Sequence, residues 1–101
     1  MAVDLTHEAF AKQLHTTFRT RINDSVNIET ELIEVSEHKV SALQERFAII
    51  FRGPSEAFLG QGLRRFEHDQ MGAFDLFIVP ISQDEKGFYY EAVFNRLARN
   101  D

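Results

Sequence analysis

From Thr16 onward the hydrophobic residues fall mostly on every second position. That is the period of a β-strand lying with one face on a core. Phe18 and Ile22 flank Thr20, while Arg19 and Arg21 take the alternate positions. Asn23-Asp24-Ser25 is a turn cluster. Beyond it Val26, Ile28, Thr30, Leu32 and Glu34 form one alternating set, and Glu29, Glu31, Ile33 and Val35 the other. A hairpin between these strands sets the acidic Glu29 and Glu31 opposite Arg19 and Arg21. Residues 36–41 read as loop. Residues 44–52 form the next strand, with Phe47, Ile49 and Phe51 on one side and Ala48 and Ile50 on the other. Apolar residues on both sides mark this strand as central.

Gly53-Pro54-Ser55 ends that strand, because proline cannot sit inside a ladder. After the flexible Gly60-Gln61-Gly62 bend, residues 63–68 form a short strand. Asp69-Gln70-Met71-Gly72 is a tight turn. Residues 73–81 carry Phe74, Leu76 and Ile78 against Asp75, Phe77 and Val79, with Pro80 predicting an edge or a bulge near the end. A hairpin loop at 83–87 leads to residues 88–96. There Phe88, Tyr90, Ala92 and Phe94 alternate with Tyr89, Glu91, Val93 and Asn95. Residues 97–101 read as a tail.

One segment departs from period two. Thr6 is a plausible N-cap, and Phe10, Ala11 and Leu14 recur at helical spacing over about 7–15, with Glu8 in the first turn and Leu5 placed as a staple. So short a helix must lie on something. The expectation is that it plugs one end of a barrel or covers a sheet face. The whole predicts a mainly β fold: a six-stranded antiparallel meander curled into a small barrel or roll, with one short N-terminal amphipathic helix. No connection after that helix is long enough for a βαβ unit.

Composition sharpens this picture. The chain has 101 residues, ten of them Phe, with no Trp and no Cys. That length suits one domain over 1–101, and the phenylalanines supply a core without polar handles. Stability without disulfides must come from packing or from a second subunit, which favours self-association. Eleven basic against sixteen acidic residues give a net charge of −5, which disfavours nucleic acid and anionic membranes as partners. The N-terminal stretch lacks a secretory pattern, and no apolar run approaches the ~20 residues of a membrane helix. The expected location is the cytoplasm, with incorporation into an exported assembly left open.

The run Phe47-Ala48-Ile49-Ile50-Phe51-Arg52-Gly53-Pro54, then Leu59-Gly60-Gln61-Gly62, Phe66-Glu67-His68, Met71-Gly72, Leu76-Phe77-Ile78-Val79-Pro80 and Tyr90-Glu91-Ala92-Val93-Phe94-Asn95-Arg96, resembles a family of small uncharacterised bacterial domains. The closing Tyr-Glu-Ala-Val-Phe-Asn-Arg strand is its most specific part. The resemblance implies a compact module with no assigned activity or catalytic residues, in some members associated with phage-tail-like or surface assemblies.

Candidate chemistry is sparse. Glu67, His68 and Asp69 are the nearest approach to a polar cluster, but neighbouring strand residues do not converge on a metal, so neither a metal nor a cofactor is expected. The serines fall in turns, and none sits in a Gly-x-Ser-x-Gly elbow. Gly60-Gln61-Gly62 lacks the Gly-Lys-Ser/Thr end of a phosphate loop. Phe74, Phe88, Tyr90 and Phe94 are candidates to line an apolar pocket inside the barrel. Tyr89, Arg96, Arg64 and Arg65 are candidates for a protein interface. Gly53, Pro54, Gly60, Gly62, Gly72, Pro80 and Asn95 are assigned structural roles. The leading function is a non-catalytic structural or protein-interaction module, binding a protein partner or itself. A carrier of a small apolar ligand is the alternative, and a hydrolase or metal-assisted enzyme around His68 comes third.

Overall fold

A computed structural model describes residues 5–97. The chain runs α1 (His7–Ala11), β1 (Thr17–Arg21), β2 (Asn27–Val35), β3 (Lys39–Val40), β4 (Gln44–Gly53), β5 (Gly62–His68), β6 (Gly72–Asp84) and β7 (Gly87–Leu97). Six strands pair in the order β2-β1-β5-β6-β7-β4, and β4 returns to β2, closing an antiparallel barrel. The two-residue β3 pairs with β4 within the stretch read from sequence as loop. Residues 1–4 and 98–101, including most of the expected tail, lie outside the described residues.

The path differs from one continuous meander in one place. β1, β2 and β4 form one three-stranded run, and β5, β6 and β7 form another. β1 pairs with β5 and β4 with β7, so residues 54–61 must cross one end of the barrel. That crossing segment is a plug. Leu59 is buried, and its N–H donates to the hydroxyl of buried Tyr90 at 2.9 Å.

The opposite end is plugged by α1. Thr6 caps it by accepting the Ala9 N–H at 3.0 Å. The helix is shorter than the 7–15 expected. Past Ala11 the chain has to turn back into β1, so its bonds tighten to Gln13 N–H to Phe10 O and Leu14 N–H to Ala11 O. His15, at φ +69°, then sends its N–H to Leu32 O at 2.7 Å and ends the turn. Phe10 is fully buried, with ring centroids 5.9 Å from Phe74, 6.4 Å from Phe47 and 5.5 Å from Phe94. Below it Phe18, Phe51, Phe66 and Phe74 continue the contact, with Phe18–Phe51 at 5.2 Å and Phe51–Phe66 at 4.7 Å. Phe47, Ile49, Phe51, Phe74, Leu76, Ile78, Tyr90 and Ala92 all face inward, as their alternation requires. The buried hydroxyls of Thr20 and Thr30 bond each other at 3.2 Å, so this polar pair carries no unmet donor into the core.

Pro80 lies at a register shift between β6 and β7, where a missing N–H removes no rung. Gly72 turns the β5–β6 hairpin at φ +82°. Gly87, not singled out from sequence, sits at φ +146°, and a Cβ there would run into the Gly53 carbonyl.

Phe10 is the only buried side chain of α1, so it is what seats the plug. Phe10→Ala is expected to lower the unfolding free energy in urea by about 3–5 kcal/mol. A loss below about 1 kcal/mol would mean the helix is not what closes that end.

Candidate functional site

The four rings expected to line a pocket are packed on neighbours. Phe74 stacks on Phe66 at 6.1 Å and meets Phe10 edge-on. Phe94 stacks on Phe47 at 4.6 Å, and Phe88 meets Phe58 at 5.1 Å. Tyr90 is buried, takes the Leu59 N–H on its hydroxyl, and has its pKa pushed up chiefly by burial. These rings converge on the interior and both barrel ends, and they fill space there.

The four expected interface residues are scattered and engaged within the chain. Arg64 and Arg65 leave β5 on opposite sides. Arg64 turns towards the crossing segment, where a terminal nitrogen donates to Gly60 O at 3.2 Å, and its buried Nε has no partner among the described residues. Arg65 stays outside on Asp75 at 2.7 Å, a bond that raises the arginine's pKa further. Tyr89 donates to Asp84 at 2.7 Å, which holds the Asp84 carboxyl below the usual carboxylate range. Arg96 lies over the Phe47 and Phe94 rings and bonds Glu45 and the Leu5 carbonyl.

Among the residues assigned structural roles, Gly53 closes β4, with a Cβ position only 3.2 Å from the Tyr90 ring. Pro54 opens the crossing segment, accepting the Ala57 N–H at 3.4 Å. Gly60 holds the Arg64 bond, Gly62 opens β5, and Asn95 is exposed opposite Arg46. Of the proposed cross-strand charge pairs, Arg19 does face Glu29, but Arg21 faces Asn27. The ion pairs form elsewhere. Arg19 reaches Asp69 and Glu67, and Glu31 takes Arg52 at 2.8 Å.

His68 is tied down on both ring nitrogens. Nδ1 accepts the backbone N–H groups of Gln70 (3.0 Å) and Met71 (3.2 Å), so the ring proton sits on Nε2. That proton goes to the Thr16 hydroxyl at 2.9 Å, and Thr16 in turn donates to Gln13 O at 2.6 Å. The imidazole therefore joins the β5–β6 turn to the α1–β1 turn. Burial is the main cause lowering its pKa. Arg19 also lowers it, and Asp69 opposes both.

The largest recess among those described, about 520 Å³, opens beside α1 between Thr6, His7, Glu8, Ala11, His38, Glu45 and Arg96. The His7 and His38 rings stack there at 4.8 Å. His7 Nε2 bonds the Ser36 carbonyl at 2.9 Å, and His38 approaches Glu45 at 3.4 Å. Glu45 is held below the usual carboxylate range mainly by its Arg96 bond. Among the described residues no group of three or more His, Cys, Asp or Glu side chains is placed to hold a metal ion.

The feature that sequence reasoning missed is outside the barrel. Leu63 and Phe77 are partners across β5 and β6, and Val93 is the partner of Ala48 across β7 and β4. Val79 pairs with Glu91, and two residues further on, past the last rung, come Phe77 and Val93. An apolar row thus crosses four strands on the outer face, with Leu63, Phe77 and Val93 exposed by 67%, 52% and 50%. The signal was present in the parity. Phe77 shares the outward side of β6 with Asp75, opposite Phe74, Leu76 and Ile78.

A family model described as Domain of unknown function (DUF6916) matches residues 5–94. No curated protein and no solved structure matches the chain.

The His68 network predicts a pH response with a definite sign. The folded-state pKa lies below the ordinary histidine value of about 6.5, so the unfolded chain takes up the proton first. The stabilisation is complete above about pH 6.5 and is lost as the pH falls towards the folded value. An NMR titration should place the His68 midpoint below 6.5, and His68→Gln should flatten the fall in stability below that pH. A midpoint at or above 6.5 would contradict the bonding described.

Proposed function

The chain belongs to the DUF6916 family, and we propose that it is a non-catalytic protein-interaction or structural module. The observation carrying this reading is the exposed Leu63–Phe77–Val93 row on a sheet whose inner face is already filled. Burying a fully exposed apolar side chain of this size is favourable by about 1.5–3 kcal/mol, these three retain half to two-thirds of that exposure, and contiguous exposed rows of this kind mark contact surfaces.

Two further features support a binding rather than a chemical role. Two of the rings a carrier would need to line a cavity, Phe74 and Phe94, are instead stacked on Phe66 and Phe47. The histidine around which a hydrolase would be built has both nitrogens committed to its own turns, which leaves it no lone pair for a substrate proton. No described helix is long and apolar enough to cross a membrane. A phage-tail-like or surface assembly is the setting we propose, and it rests on the family resemblance carried by the motifs from Phe47 to Arg96 rather than on geometry.

Photo-crosslinking in the native cell tests the reading. A benzophenone amino acid replacing Phe77 should yield a discrete protein adduct on irradiation. The same group at Glu29, exposed on β2 and paired with β1 across the barrel from β7, should yield none. If position 77 gives no protein adduct, or only the same smear as position 29, the module reading fails.

A further inference from the structure

We propose that the partner on the outer face is a second copy of this chain, docked about a two-fold axis that runs along the apolar row. The proposal rests on the interaction-module reading and names its partner.

The axis is chosen by what flanks the row. On one side, the next outward positions are Arg46 of β4, Asn95 of β7 and Asp75 of β6, the last held by Arg65. On the other side they are Ile50 of β4, Glu91 of β7 and Val79 of β6. Arg46 is exposed and Glu91 half-buried, and neither has an ion-pair or hydrogen-bond partner among the described residues. Glu91 lies between Ile50 and Val79, so its carboxylate borders apolar neighbours on both strands.

Two patches related by an in-plane two-fold axis exchange the sides of that axis. Strand β7 then lies antiparallel over β7 of the other copy, and β4 over β4. Val93 and Phe77 meet their own counterparts along the axis, while Leu63 on β5 curves away round the barrel. Asn95 faces Glu91 of the other copy. Arg46 stands one strand away, about 4.8 Å, within reach of the same carboxylate. The contact is made twice, once on each side. Both charges left unpaired in the single chain are thereby paired.

Charge also selects this face. The chain carries −5 in all, but on this surface Arg46, the Lys39 beside it and Arg65 balance Glu91, Asp75 and the Glu34 beside Ile50. Two copies can approach here without the repulsion that other faces would meet. The strands that can meet, β6, β7 and β4, make a face about 14 Å across, smaller than a standard stable interface of ~800 Å² per partner. A weak dimer follows, to be sought over roughly 10 μM to 1 mM.

Sedimentation equilibrium on the purified chain tests this through charge exchange. Wild type should dimerise over that range. Arg46→Glu and Glu91→Arg should each raise the dimer Kd at least tenfold, and the two together should restore it to within about threefold, since each swapped charge again meets its opposite. Circular dichroism and the melting temperature verify that each variant folds. Should Arg46→Glu fail that check, Arg46→Gln and Glu91→Gln should each raise the Kd by a smaller factor, and the two together no further than either alone, since one lost partner already breaks the pair. A chain monomeric throughout overturns the proposal, as does a dimer indifferent to the swaps or one the double variant fails to restore. A crosslink from position 77 to a different protein, with the pure chain monomeric, sinks self-association and leaves the module reading standing. No crosslink at all removes that reading itself.

Discussion

The structure depends on a sheet closing around rings that have nowhere else to go. Phe18, Phe51, Phe66, Phe74, Phe10 and Phe47 touch in succession from the middle of the barrel to its helix-capped end. They come from five elements, Phe47 and Phe51 both from β4, so the column forms only when β1, β4, β5, β6 and α1 are assembled together. A one-residue slip in any strand would send its ring outside and an outward residue into the column. Closure also removes the long free edges that so apolar a sheet would otherwise present.

Both barrel ends repeat this logic with different means. One is filled by a five-residue helix that could not persist alone and is seated by Phe10. The other is filled by an irregular crossing segment, whose Leu59 enters the core while its backbone N–H is satisfied by Tyr90. Polar groups near the core are handled alike. Thr20, Thr30 and His68 are buried, and each has its partners supplied by nearby strands or turns. Such groups bind the fold together, and their atoms are already occupied.

Much of this was legible in the chain. Period two located all six barrel strands, because a strand with one buried face writes its parity into the sequence. Thr6 announced a cap through its side-chain hydroxyl, and Pro80 a bulge through its missing N–H. The connection between β4 and β5 was not legible, since a loop of eight residues that crosses a barrel end looks like one that links neighbours. The contacts that hold the arginines were not legible for a related reason. Arg64 and Arg96 read as surface cations, and only the tertiary fold supplies the Gly60 carbonyl and the Phe47 and Phe94 ring faces that hold them. The outward row fell between these cases. Phe77 carries the parity of Asp75, but its exposure depends on Leu63 and Val93 arriving beside it from other strands.

The interior is thus filled by the barrel's own side chains, while Phe58 and Phe77 stand on its outside. Fluorine NMR of the chain labelled with fluorophenylalanine, read against a soluble paramagnetic relaxer, examines that division directly. At low protein concentration the signals of Phe58 and Phe77, exposed by 57% and 52%, should broaden, while those of Phe10, Phe18, Phe47, Phe51, Phe66 and Phe74 stay sharp. If rings of the inner column broaden as Phe77 does, the barrel is open to solvent and the account is wrong.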